Sequence, residues 1–178
     1  MVGVVLAGGA GRRMGGDKGA RLLRGRPLAS YPAAALAAVC ERVAIVGPGP
    51  ALPGVELWDD EPPEPRHPRT GILHALRRAS GPILICAADM PFVTPEALQE
   101  LANAGHDAVA VSGGRLQPVL ALYSMAALPV FRAAEPDEPL TRTVERLDPI
   151  RVPVPDARSI DTPAQLAAAE AELRGEGR

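Results

Sequence analysis

Two unbroken apolar runs, Val2–Ala7 and Pro82–Ala87, constrain the fold more than any other feature of the chain. A strand with one face in water alternates apolar and polar side chains. A β-branched run with no polar position reads instead as a strand covered on both faces, as in a parallel sheet between helical layers. The segments around these runs alternate in the same sense. Helical patterns are expected over Leu28–Val39 (started by Pro27), Gly71–Ala79, a segment capped by Thr94 and ending at Ala104, Met125–Ala134, Leu140–Leu147 and Pro163–Leu173, the last capped by Thr162. Strand patterns are expected over Arg42–Val46, Val55–Trp58, Asp107–Ser112, Leu116–Tyr123 and Ile150–Val154. Asp59–Arg69 is a proline- and acid-rich loop, and Gly113-Gly114 marks a hairpin turn. Strands alternating with helices predict an α/β domain on a mainly parallel sheet, with right-handed crossovers outside the one hairpin.

With 178 residues, the chain suits one domain over 1–173 followed by a frayed polar tail, 174–178, and burial of roughly 70 % of the unfolded surface needs no staple. No apolar run approaches the length of a membrane span, and no charged n-region precedes Val2, so a cytoplasmic protein that contacts no membrane is expected. Cys40 and Cys86 sit in apolar segments without metal-ligand spacing and are expected to be buried free thiols. A net charge of −2 argues against nucleic-acid binding. Up to Arg26, however, the chain carries Arg12, Arg13, Lys18, Arg21, Arg24 and Arg26 against the single acid Asp17, a balance suited to a small anionic ligand. Lys18 is the only lysine among 19 basic residues, which points to a site that wants a compact ammonium rather than a planar fork.

In open α/β sheets ligands bind beyond the carboxyl ends of the strands. The first such loop runs Gly8-Gly9-Ala10-Gly11-Arg12-Arg13-Met14-Gly15-Gly16-Asp17-Lys18. It is not the dinucleotide fingerprint, because Met14 stands where the third glycine belongs. Nor is it the P-loop, because Lys18 comes one position late and Gly19 supplies no hydroxyl. Its glycines nevertheless let backbone N–H groups approach phosphate oxygens while Arg12, Arg13 and Lys18 neutralise them. Asp89 follows the most apolar strand and should emerge at the same sheet edge. Its carboxylate could hold Mg²⁺ beside a polyphosphate or simply cap the turn before Pro91. His67, His74 and His106 lie apart and read as surface or packing residues, and no nucleophile triad is recognisable.

The stretch Leu6 to Lys18 resembles the signature of the MobA-like nucleotidyltransferases. Matches continue at Ala88-Asp89-Met90-Pro91-Phe92, at Gln117 to Tyr123 and at Ile160-Asp161-Thr162-Pro163. The resemblance implies a doubly wound, Rossmann-like, three-layer α/β/α nucleotidyltransferase. It further implies transfer of GMP from Mg-GTP to the terminal phosphate of molybdopterin, with release of pyrophosphate. The residues it implies are Arg13 and Lys18 for catalysis, with Leu6, Ala7, Gly8, Gly9, Lys18, Asp60 and Asp89 at the nucleotide. Asp60, with Asp59 as neighbouring rival, would read guanine. Asp89 would hold the metal and Asp161 would be a second ligand or an N-terminal helix charge. Arg69 is expected to contact a phosphate. GTP and molybdopterin are then the small-molecule partners, with a molybdoenzyme or a cofactor-biosynthesis protein receiving the product. Two alternatives stand beside this reading: a sister enzyme that uses CTP or another nucleotidyltransferase with a small phosphorylated acceptor, and a nucleotide- or cofactor-binding module without transfer activity. Ala7-Gly8-Gly9, where the CTP branch tends to read Ala-Ala-Gly, favours guanine.

Overall fold

The computed structural model describes residues 1–7, 18–58 and 67–175. Nine strands and six α-helices occur among them. In chain order they are β1 (Val2–Leu6), a single 3-10 turn (Lys18–Ala20), β2 (Leu22–Leu23), β3 (Arg26–Pro27), α1 (Ser30–Ala37), β4 (Arg42–Val46), β5 (Glu56–Trp58) and α2 (Pro68–Ala79). There follow β6 (Ile83–Ala87), α3 (Pro95–Asn103), β7 (Ala108–Ser112), β8 (Arg115–Tyr123), α4 (Ala127–Ala133), α5 (Leu140–Glu145), β9 (Ile150–Pro153) and α6 (Pro163–Gly175).

Seven strands form one sheet in the order β5-β4-β1-β6-β8-β7-β9. β1 pairs in parallel with β4 and β6, β4 with β5, and β7 with β9; β8 alone runs against its neighbours β6 and β7. The period-2 geometry of the strands divides their apolar side chains between two layers. Val5, Ile45, Leu84 and Cys86 pack with Leu36 of α1 and Leu98 and Leu101 of α3. Val4, Val46, Ile83 and Ile85 pack with Ile72 and Leu76 of α2, Phe131 of α4 and Val144 of α5. This is the expected three-layer arrangement, and both unbroken apolar runs occupy its centre. Gly3 lies where α1 crosses the sheet, and a Cβ there would meet that of Leu36 at 3.1 Å.

The hairpin expected at Gly113-Gly114 joins β7 to β8, both glycines adopting positive φ. Its register shifts next to Val109 and Ala110, which pair with Ala121 and Gln117 respectively. Pro118, unable to donate to the ladder, lies in the displaced stretch, and the Tyr123 hydroxyl donates to its carbonyl at 2.8 Å. Beyond the shift, β8 continues as an arm paired with β7.

Three local expectations are corrected. Pro27 does not start the first helix. It pairs with Leu22 in a second, two-stranded sheet, and α1 begins at Ser30. The turn of that small hairpin is Arg24-Gly25, with φ of 50° and 75°. It was hidden because arginine is not a usual turn residue, yet αL at both central positions is what a tight hairpin requires. The hairpin packs through Leu23 and Leu28 onto Ile160 and Ala169, forming a small third core with α6. Finally, α2 begins at Pro68 rather than Gly71, because the Nδ1 of His67 accepts the N–H of Arg69 (3.2 Å) and Pro68 fills the first turn.

Candidate active site

At the carboxyl edge of the central strands the last peptide of β1 is held from both sides. The Ala7 N–H donates to the Val46 carbonyl of β4 (2.9 Å), and the Leu6 carbonyl accepts the N–H of Ala88, just past β6 (3.0 Å). The departure point of the glycine loop is therefore a fixed platform. Gly49 folds over it: a Cβ there would come within 2.7 Å of Ile45 Cγ2 and 3.2 Å of Ala7 Cβ. Gly8, Gly9 and Arg13, together with Asp59 and Asp60, lie outside the described residues.

The chain re-enters at Lys18, whose 3-10 turn is anchored by hydrogen bonds from Arg21 N–H to the Lys18 carbonyl (3.1 Å) and from Ala29 N–H to the Gly19 carbonyl (3.0 Å). The Lys18 ammonium lies between two carboxylates, 3.2 Å from Asp89 Oδ2 and 2.5 Å from Asp161 Oδ1. Residues 71 and 143 positions apart along the chain thus meet at one point. The turn after β6 closes through the backbone, Met90 N–H to the Ala87 carbonyl at 3.2 Å. The Asp89 carboxylate is directed at Lys18. The Asp89 carbonyl accepts the Ile160 N–H at 2.8 Å, which seats the segment before α6 directly against it.

Asp161 is held in turn. Its Oδ2 accepts from the Ser159 hydroxyl (2.8 Å), and its N–H donates to Gln165 Oε1 (2.7 Å). Thr162 caps α6 as expected, its hydroxyl oxygen accepting the Gln165 N–H at 3.2 Å, while Gln165 Oε1 also accepts from that hydroxyl. This is a variant of the capping box, in which Gln165 reaches back to the N–H of Asp161 rather than to that of the cap residue Thr162. The sequence Thr162-Pro163-Ala164-Gln165 carried its signal, but the placement of Asp161 by that box was not anticipated. Farther out, Arg158 stacks over Phe92 with its guanidinium carbon 4.2 Å from the ring centroid. It also pairs with Asp156 and Glu172, fastening the same segment to α6.

The electrostatics follow from half-burial. Loss of water raises the Asp89 carboxyl above the usual carboxylate range, although Lys18 opposes the shift. Burial alone would lower the Lys18 ammonium, but the hydrogen bonds and charges of Asp161 and Asp89 hold it above its ordinary value. Among the described residues no group of three or more His, Cys, Asp or Glu could hold a metal. Asp89 and Asp161 nevertheless converge on one cation, and two hard oxygen donors beside substrate phosphates suffice for Mg²⁺.

Arg69 corrects the remaining expectation. It is buried, and its guanidinium donates to the carbonyls of Ala134 and, at 2.7 Å, Glu135. The early start of α2 turns it inward to tie that helix to the end of α4, so it is committed to the scaffold rather than to a phosphate. His67 is likewise a helix cap, and Cys40 and Cys86 are buried free thiols.

Comparison with known proteins gives this geometry a lineage. Residues 3–150 match the model of the MobA-like NTP transferase domain. The molybdenum cofactor guanylyltransferase of Cereibacter sphaeroides is 34 % identical over 190 residues, covering 98 % of this chain and 97 % of that protein. The protein of the same name from Rhodobacter capsulatus is 36 % identical over 192 residues, with 98 % and 97 % covered. Among solved structures, molybdopterin-guanine dinucleotide biosynthesis protein A from Archaeoglobus fulgidus superposes with a TM-score of 0.75 at 22 % identity, covering 98 % of this chain and all of that one. On the extent of these matches, the chain belongs to the MobA-like NTP transferase family.

Proposed function

We propose that this protein transfers GMP from GTP to the terminal phosphate of molybdopterin, forming the guanine dinucleotide cofactor and releasing pyrophosphate. The observation that carries this reading is the placement of Lys18 against Asp89 at the end of the two central strands, where the glycine loop leaves the sheet. The near-full-length likeness to proteins named molybdenum cofactor guanylyltransferase supports the choice of nucleotide and acceptor.

In this reaction an acceptor phosphate oxygen attacks the α-phosphorus, a P–O bond forms there, and the bond to the β-phosphate breaks. The nucleophile is already ionised at neutral pH, so no general base is required. Catalysis then consists of positioning and charge neutralisation between two anions. Lys18 supplies a compact cation for the phosphates, and Arg13 on the glycine loop supplies a second. The pinned Leu6–Ala7 peptide, with Gly8 and Gly9 after it, offers the nucleoside a rigid backbone edge. Asp60 can accept both the N1–H and the amino group of guanine, a pair cytosine cannot present. Asp89, with Asp161 as second carboxylate, would hold Mg²⁺, which would supply positive charge to offset that of the phosphates.

Thermal shift with GTP, CTP, ATP and UTP, with and without Mg²⁺, tests the nucleotide assignment. At 100 times its dissociation constant a ligand adds about 2.7 kcal/mol, a shift of several degrees at this size. GTP with Mg²⁺ should raise the melting temperature most. A shift with CTP alone would reassign the chain to cytidylyl transfer and remove Asp60 as guanine reader. Replacing Lys18 by Ala should lower the transfer rate by at least about 10²-fold. Lys18→Arg should remain impaired, since a planar fork does not replace a point charge. Asp89→Asn should abolish Mg²⁺-dependent transfer, and an active Asp89→Asn protein would refute the metal role.

A further inference from the structure

Lys18 is the only lysine of the chain, and one of the two carboxylates it faces is itself held by two further side chains. One oxygen of Asp161 faces Lys18 at 2.5 Å, and the other accepts the Ser159 hydroxyl at 2.8 Å. A carboxylate rotates about a soft terminal torsion. The serine hydrogen bond removes that freedom and settles which oxygen points at the ammonium. The backbone of Asp161 is fixed separately by Gln165, whose Oε1 takes the Asp161 N–H at 2.7 Å from one turn inside α6. The Asp161 side chain is roughly half exposed, with 46 % of its surface open to water. Burial alone therefore would not hold it.

We infer that Ser159 and Gln165 are positioning residues of the transfer site, which act through Asp161 to set where the Lys18 ammonium stands relative to Asp89. Ser159 sets the carboxylate, Gln165 sets the backbone from which it hangs, and the Ile160 N–H bond to the Asp89 carbonyl keeps the two carboxylates on one base. The inference rests on the transferase reading only for its kinetic consequence; the geometric consequence can be measured without substrate.

The test uses the full chain and its single lysine. Lys18 is acylated with an amine-selective reagent, and its labelling rate is followed by peptide mass spectrometry, beside initial rates of pyrophosphate release with GTP and molybdopterin. Ser159→Ala and Gln165→Ala should each label Lys18 several-fold faster than the parent. Each should also lose about tenfold in kcat, with the KM for GTP changed less than about twofold, as expected for loss of one hydrogen bond to a charged group. Ser159→Thr, which keeps the hydroxyl, should restore parental labelling and rate. Parental labelling and kcat in both alanine variants would overturn the inference. So would a loss of rate that follows a lowered melting temperature while labelling stays parental, since that describes a merely structural role. If the parent chain transfers nothing from GTP, the functional reading fails, and the labelling comparison alone still decides whether these two residues position Lys18.

Discussion

Arg69 and Lys18 show how differently two cations of one chain can be employed. Both stand near segments that invite a phosphate-binding reading, yet Arg69 spends its donors on two backbone carbonyls, and Lys18 faces side chains at the sheet edge. Lys18 stood out in the sequence because a composition that uses arginine everywhere else retains lysine there. The role of Arg69 was not legible, because it depends on where the end of α4 comes to rest, and no local pattern encodes that. Removing Arg69 strands two acceptors beneath α2. Arg69→Ala should lower unfolding stability by about 2–4 kcal/mol, read as a lower urea midpoint with an unchanged slope, while the thermal shift produced by GTP stays parental. Ser159 was equally illegible, since its partner oxygen is chosen only once Lys18 has claimed the other.

Among the elements, the long apolar and amphipathic ones could be read from their periods, and their ends moved by only a few residues. The β2–β3 hairpin escaped because two-residue strands have no period to detect. Its significance is tertiary. Leu23 and Leu28 form with Ile160 and Ala169 the small core under α6, the helix whose capping box holds Asp161. Leu23→Ala should therefore cost about 2–4 kcal/mol of stability and also quicken Lys18 acylation, joining packing on one side of the hairpin to the site on the other. Gly25 has φ +75°, so Gly25→Val should strain the turn and weaken the same contact, whereas Gly25→Asn is expected to be tolerated. Thr162→Ala should lower stability by about 1 kcal/mol through loss of the cap, measured by chemical denaturation.

For the molecule as a whole, the α/β class followed from strands apolar on both faces, but the strand order across β8 did not, because the hairpin fixes its direction against β7 and not which strand it meets on its other edge. The core layer under α1 and α3 also buries both thiols. Burial lifts Cys40 from 9.0 to about 11, and Cys86 rises further. Below pH 9 both folded and unfolded chains carry neutral thiols, so stability is complete. Between pH 9 and 11 the unfolded thiol ionises while the folded one stays protonated, and stability falls as pH rises. For Cys40 the loss approaches about 2–3 kcal/mol at 1.36 kcal/mol per pH unit. Urea titrations at pH 8 and pH 11 should show a smaller loss in Cys40→Ala than in the parent, and alkylation of the native protein at pH 7 should be slow. The family match ends at residue 150, yet Asp161 and the residues that aim it lie beyond that point, and they dock on an aspartate made some seventy residues earlier. A chain still emerging from the ribosome can complete the central strands and the Asp89 turn before Asp161 exists, so the lysine acquires its second carboxylate later than its first.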